Sequence, residues 1–233
     1  MKPGKLYGVG IGPGDSQYLT IRAVDVLRTA DVIFTVISKN VSDSVSQSVV
    51  EQLRPRGEIR RQVFSMSRDH AARKAQVRDN AGAIINELRA GHDCAFATLG
   101  DAMMYSTFGY VLDIIREAIP DLELEIVPGI TSFATLAAKA ARVLVENSEQ
   151  LRIIPAFRSD MAESLEFPKG STTILLKTYH SRTALLDRLS REEGVEILYG
   201  EQLAMEGQTL LSDPEAIRAR PEKYLSMIMV KKQ

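Results

Sequence analysis

The chain has 233 residues, with 29 Lys plus Arg against 30 Asp plus Glu, three His, one Cys and no Trp, for a formal net charge of −1. One cysteine can neither close an internal disulfide nor supply a multi-cysteine zinc or iron–sulfur site, so a reducing compartment is the default. Balanced charge gives no general attraction to nucleic acid or an anionic membrane, and neither is expected as a partner.

The longest run without a charged residue, 126–138, is 13 residues and contains Pro128 and Gly129, short of the ~18 to 20 that span a bilayer. Gly8, Gly10, Gly12 and Gly14 interrupt the apolar start, which is no signal-peptide core. A cytoplasmic protein is expected.

In chain order, short apolar or β-branched runs at 5–11, 31–37, 58–64, 94–99 and 122–127 predict strands. Between them, 19–28 places Leu19, Ala23, Val26 and Leu27 on one helical face, and 77–89 places Val77, Ala81, Ile84, Ile85 and Leu88 likewise. A third amphipathic helix ends near Ala118. Alternation of strands and helices predicts a mainly parallel sheet covered on both faces. A polar stretch at 146–150 suggests a boundary, giving an N-terminal domain 1–148 and a C-terminal domain 149–233. The second series begins with the short segment 151–156 and has strands at 172–177, 195–201 and 224–231 and a helix over 181–193 with Ser181 as N-cap. Segments 160–170 and 212–222 read as polar connections. The fold class is therefore α/β, as two α/β domains with a ligand cleft expected between them.

Three glycine-bearing loops follow predicted strands. The first, Gly8-Val9-Gly10-Ile11-Gly12-Pro13-Gly14-Asp15, departs from the dinucleotide fingerprint at Pro13 and Asp15 and lacks the Lys-Ser or Lys-Thr of a phosphate loop. Asp15 would repel phosphate from a helix entrance. A cofactor without pyrophosphate, one able to carry positive charge, fits better; a ligand-free tight turn is the competing reading. The second, Thr98-Leu99-Gly100-Asp101-Ala102-Met103-Met104-Tyr105-Ser106-Thr107, offers backbone access at Gly100, polar groups on Asp101, Ser106 and Thr107, and a soft wall from Met103 and Met104. Alternatively, Asp101 or Thr107 caps the next helix and the methionines fill core. The third is Val127-Pro128-Gly129-Ile130-Thr131-Ser132-Phe133. In a parallel sheet these loops share one edge and should converge.

Gly10-Ile11-Gly12-Pro13-Gly14-Asp15, the Gly100-Asp101 loop and Val127-Pro128-Gly129-Ile130-Thr131-Ser132, in this order, resemble the tetrapyrrole methylases, S-adenosylmethionine-dependent enzymes of two α/β domains. The resemblance covers essentially the whole chain. Tyr105-Ser106-Thr107 and Tyr224-Leu225-Ser226-Met227-Ile228-Met229-Val230 are similar to the subgroup that methylates C20 of precorrin-2 or cobalt-factor II in cobalamin biosynthesis. Where the family usually has Gly-Asp-Pro, this chain has Ala102, which can adopt the same φ with less rigidity.

The resemblance implies S-adenosylmethionine, with S-adenosylhomocysteine as product, held between the domains. Its contacts would come from Gly12, Leu99, Gly100, Asp101, Met103, Met104, Ser106, Thr107, Thr131 and Ser132. The second domain would add Lys177, Thr178, Tyr179, Leu203, Ala204 and Met205. The tetrapyrrole would sit beside Pro13 and Asp15, and members of the family are generally homodimers. An activated methyl donor needs alignment more than a covalent intermediate. Tyr179 and His180 are the candidates for a weak general base, against the plainer reading that His180 only precedes a helix.

Arg22, Lys39, Arg68, Arg73, Arg158 and Arg182 are possible partners for substrate carboxylates, each more ordinarily a solvated cation. His70, His92 and Cys94 lack metal-ligand spacing, so no protein-bound metal is expected, and Cys94 reads as an inert buried thiol. The alternatives are a family member acting on another ring carbon, the diphthine synthase branch, and a non-catalytic α/β metabolite-binding module. Such a module would need neither a second domain nor a third loop.

Overall fold

Residues 2–38, 44–64, 69–155 and 157–233 are described by the computed structural model. Strands β1 (Leu6–Gly10), β2 (Val32–Ser38), β3 (Glu58–Phe64), β4 (Cys94–Thr98) and β5 (Leu124–Val127) form a parallel sheet in the order β3-β2-β4-β1-β5. Side chains alternate between its faces with a period of two. Leu6, Phe34, Cys94 and Phe96 pack against α3 (His70–Arg89) and α4 (Phe108–Ala118). Val9, Ile33, Ala95 and Ala97 pack against α1 (Ile21–Thr29) and α2 (Val45–Gln52). Thr20, Ser44 and Asp69 accept backbone N–H bonds as N-caps of α1, α2 and α3.

The second sheet is mixed. It contains β6 (Gln150–Ile154), β7 (Ser171–Leu176), β8 (Val195–Glu201), β9 (Thr209–Leu211) and β10 (Ser226–Lys232), in the order β6-β7-β10-β8-β9. β6 and β7 are parallel, whereas β10 runs antiparallel to both β7 and β8, so β7 and β8 end at one edge with the start of β10 between them. One face packs Leu175, Tyr199, Ile228 and Val230 against α6 (Arg182–Leu189) and α7 (Pro214–Arg218). The other packs Ile174, Leu198, Met227 and Met229 against Phe133 and Leu136 of α5 (Ser132–Ala140).

The chain divides into two compact units, Met1–Thr131 and Ser132–Gln233. The division therefore falls before α5 rather than near 148. Burying Phe133 and Leu136, at about 1.5–3 kcal/mol each, ties that helix to the second sheet. Four further differences separate expectation from structure. Helix α2 occupies a stretch where none was expected, and α3 begins at His70 rather than Val77. Segment 212–222, read as a connection, contains α7, which Asp213 caps through the Ala216 N–H with Pro214 at its start. The three-residue β9 was also unexpected.

Candidate functional site

The loops after β1, β4 and β5 lie at the carboxyl edge of three adjacent strands, and they do converge. Gly12 and Gly100 exchange two backbone hydrogen bonds, Gly12 N donating to Gly100 O at 3.1 Å and Gly100 N to Gly12 O at 2.7 Å. Both have positive φ, 71° and 75°, which glycine adopts without a Cβ clash. Gly10 and Gly129 pack more tightly still. A Cβ at Gly10 would lie 2.6 Å from Gly129 N and 2.7 Å from Gly100 O. The Asp101 carboxylate joins the second loop to the third, Oδ1 accepting from Met103 N and Oδ2 from Gly129 N, both at 2.9 Å.

Around this cradle the other expected residues take distinct roles. Pro13 is buried, and Asp15 is half-buried and caps a short 3-10 turn by accepting from Gln17 N. Leu99 is half-buried. Met103 and Met104 do not fill core; they are 58% and 41% exposed, while Ala102 between them and Asp101 is the buried residue. The helix cap also differs from expectation. Ser106 Oγ accepts from Phe108 N at 3.1 Å and donates to Thr98 Oγ1 at 3.3 Å. Thr107, at the N-cap position of α4, makes no side-chain cap bond, and its Oγ1 is buried without a hydrogen-bond partner. Thr131 ends the first unit and Ser132 opens α5.

In the second unit the expected residues follow β7 and β8. Lys177, in a left-handed conformation with φ 58°, donates its N–H to Ser226 O at 2.9 Å and sets its ammonium 5.5 Å from the Tyr224 ring centre. Thr178 is fully buried and its Oγ1 has no hydrogen-bond partner. Tyr179 lies against His180 with ring centres 3.9 Å apart and planes tilted by 43°, and it meets Tyr224 edge-on at 5.6 Å. His180 Nδ1 lies 2.7 Å from Glu222 Oε2, an arrangement that fixes one face of the imidazole and leaves Nε2 facing away from the carboxylate. After β8, Leu203 is buried and Ala204 and Met205 are half-buried, with Ala204 also left-handed at φ 57°.

The cations considered for substrate carboxylates are largely committed elsewhere. Arg22 forks onto Glu125 at 2.7 and 2.8 Å, and Arg158 pairs with Asp160. Arg182 is buried and donates to the carbonyls of Arg220 and Pro221, a structural role. Arg73 is an exposed residue of α3, whereas Lys39 and Arg68 lie outside the described residues. His92 pairs with Glu87 at 2.7 Å, and burial pushes the Cys94 thiol up to about 12, where it stays protonated and unreactive. Among the described residues no group of three or more His, Cys, Asp or Glu is placed to hold a metal ion, and no helix is long and apolar enough to cross a membrane.

One cluster near the β7 and β8 loops was missed by sequence reasoning. Glu201, fully buried at the end of β8, accepts from Tyr199 Oη at 2.7 Å and Arg220 Nη2 at 2.8 Å, with Lys223 Nζ 3.3 Å away. Burial opposes ionisation of Glu201, but the hydrogen bonds from Arg220, Tyr199 and Lys223 outweigh it and hold the carboxyl below the usual range. Burial, helped by Glu201, pushes the Tyr199 hydroxyl up to about 12. The one sequence signal was Glu201 directly after the uncharged run Ile197-Leu198-Tyr199-Gly200.

The first sheet of this two-unit α/β chain gathers three glycine loops at its carboxyl edge, the place where such sheets bind small ligands. The model of the Tetrapyrrole (Corrin/Porphyrin) Methylases matches residues 5–216, and the chain belongs to that family. It is 34% identical to the cobalt-precorrin-2 C(20)-methyltransferase of Salmonella typhimurium, over 99% of this chain and 97% of the relative. It is 33% identical to a protein of Methanocaldococcus jannaschii assigned the same activity, over 75% of this chain and 72% of the relative. The fold matches the solved uroporphyrin-III C-methyltransferase of Thermus thermophilus in complex with S-adenosylhomocysteine, with a TM-score of 0.66 and 18% identity over 98% and 92% of the two chains.

Proposed function

We propose that the protein transfers a methyl group from S-adenosylmethionine to C20 of precorrin-2 or its cobalt-bearing counterpart, cobalt-factor II, in cobalamin biosynthesis. The observation that carries this reading is the 34% identity to a C(20)-methyltransferase over nearly the full length of both chains. A match spanning both units also speaks against a non-catalytic single-domain module. The names of the relatives at 33% and 34% identity support a cobalt-bearing acceptor.

The residues present fit the methyl donor on three counts. Gly10 and Gly129 bring the loop backbones so close that a Cβ on either would overlap them, whereas a Cβ at Gly100 would meet open space, so the gathered loops leave room on the Gly100 side. Thr107 Oγ1 and Thr178 Oγ1 are buried polar atoms without partners, a cost that a ligand's hydrogen-bonding groups would relieve. The first loop offers no lysine for a phosphate, consistent with a ligand that has none. When bound, S-adenosylmethionine supplies a methyl group already activated by its sulfonium.

The chain's own residues align and shield. Gly12, Leu99, Gly100, Asp101, Met103, Met104, Ser106, Thr107, Thr131 and Ser132 would hold the donor together with Lys177, Thr178, Tyr179, Ala204 and Met205. Pro13 and Asp15 would border the tetrapyrrole. Asp101 serves by keeping two loops together, since both of its oxygens take backbone N–H bonds. His180, its Nδ1 side held by Glu222, would accept the proton that leaves the acceptor, with Tyr179 packed on it. The enzyme is proposed to work in the cytoplasm as a homodimer, with neither nucleic acid nor membrane as a partner. Calorimetry tests the donor and labelled S-adenosylmethionine tests the acceptor. Binding of S-adenosylhomocysteine and gain of one methyl by the cobalt-bearing acceptor are expected; failure to bind the product would sink the methylase reading.

A further inference from the structure

The segment entering the proposed donor contacts Leu203, Ala204 and Met205 is held in a conformation that its sequence does not favour. Gln202 has φ 49° and Ala204 φ 57°, so two of three consecutive residues, neither of them glycine, occupy the left-handed region that L-residues avoid. Such outliers persist only where the surroundings over-determine them, and they cluster at ligand sites. The restraints here are identifiable, beginning with the turn's own bond from Met205 N to Gln202 O at 3.0 Å. Gln202 N donates to Leu225 O at 2.9 Å, and Ala204 N to Gln208 Oε1 at 2.8 Å. The Gln202 carboxamide accepts from Lys223 Nζ at 2.7 Å. The same ammonium lies 3.3 Å from Glu201 Oε1, the buried carboxylate anchored by Arg220 and Tyr199.

Lys223 therefore belongs to a short strap before β10 that touches both ligand loops of the second unit. Its neighbour Glu222 meets His180 after β7, Tyr224 meets Tyr179 on the same loop, and Lys223 meets Gln202 after β8. We propose that Lys223 is a positioning residue for the methyl donor: its ammonium bridges the buried Glu201 carboxylate to the Gln202 carboxamide and holds the left-handed turn 202–205 in its binding shape. This rests on the reading that residues 203–205 contact S-adenosylmethionine. Lys223 acts through Gln202, so its removal weakens donor binding and leaves the chemical step alone. A pair that only stabilised the fold would change the unfolding temperature and not the affinity.

The test is titration of S-adenosylhomocysteine into wild type, Lys223→Met, Lys223→Arg, Gln202→Met and the double variant Lys223→Met/Gln202→Met. The Lys223 side chain is 40% exposed, so its replacement leaves no new cavity in the core. Lys223→Met is expected to raise the dissociation constant about tenfold, and to raise the KM for S-adenosylmethionine in step with kcat unchanged at saturation. Lys223→Arg, which can still bridge the two groups, should stay within about threefold of wild type. In the Gln202→Met background the Lys223 substitution should add less than about threefold, the signature of two residues acting as one unit. An unchanged affinity in Lys223→Met, or an equal loss with and without Gln202, overturns the proposal. A wild-type chain that does not bind the product refutes the functional reading and this inference together, whereas a wild type that binds alongside an unaffected Lys223→Met refutes this inference alone.

Discussion

Replacing Gly129 by alanine puts the convergence of the three loops to the test. A Cβ there would lie 2.7 Å from Gly10 Cα and would also overlap Gly100 O. Carbon atoms pack at about 3.5–4.0 Å, so relieving the contact with Gly10 alone needs about 0.8 Å of separation, and the contact with Gly100 O, at 2.0 Å, needs more. The Gly12 N to Gly100 O bond, 3.1 Å in the native chain, would stretch beyond the hydrogen-bonding range. The bond from Gly129 N to Asp101 would be displaced with it. Overpacking strain and two weakened hydrogen bonds together imply a loss of about 3 kcal/mol. Urea unfolding measures that loss, and calorimetry with S-adenosylhomocysteine should show binding reduced by at least about a hundredfold, since the cradle itself is deformed. Gly82→Ala is the control. Gly82 lies inside α3 with open space where a Cβ would go, so that variant should be about 0.5–1 kcal/mol more stable than wild type. A Gly129→Ala protein as stable as wild type and binding normally would refute the reasoning.

Thr178→Val should leave the stability of the free protein unchanged or slightly raised, because the hydroxyl it deletes is buried without a partner. Product affinity should nevertheless fall by about tenfold; unaltered affinity would mean that the hydroxyl faces no ligand. His180→Ala should slow single-turnover methyl transfer while leaving product binding intact, and an unchanged rate would remove His180 as the base. The fork from Arg22, helped by Lys5, lowers the Glu125 carboxyl to about 2 from 4.5. Because the folded value is the depressed one, the stabilisation is complete above 4.5 and is lost as pH falls toward 2. The stability difference between wild type and Glu125→Gln should therefore be constant at neutral pH and vanish in that acid window. A difference independent of pH would contradict the assignment.

The five strands of the first sheet and the three loops at its edge were legible because each rests on a local pattern. Buried parallel strands read as apolar runs, Gly10 and Gly129 stand where close backbone approach tolerates no side chain, and Gly12 and Gly100 stand where a positive φ favours glycine. Helix α2 was not legible. Its valines are β-branched, and its buried face is only Ser46, Val49 and Val50. The signal for α7 was present, in Asp213-Pro214 as N-cap and first helical residue, but five residues are too few for a period. The division before α5 depends on which sheet receives Phe133 and Leu136, a tertiary fact with no local mark. The Glu201 cluster was hidden for the same reason. Tyr199 sits two residues before Glu201 on the same strand, but Arg220 and Lys223 reach Glu201 and Gln202 only because β10, which follows them, lies beside β8. The left-handed turns at Lys177, Gln202 and Ala204 occupy positions where no glycine announces them.

The ring position that receives the methyl group can be read directly in one measurement. The protein is supplied with 13C-methyl-labelled S-adenosylmethionine and, in parallel, precorrin-2 and its cobalt-bearing counterpart, and the product is read by NMR. A single labelled methyl on C20 of the cobalt-bearing acceptor is the predicted result. A label on any other ring carbon, or on neither acceptor, would contradict the claim.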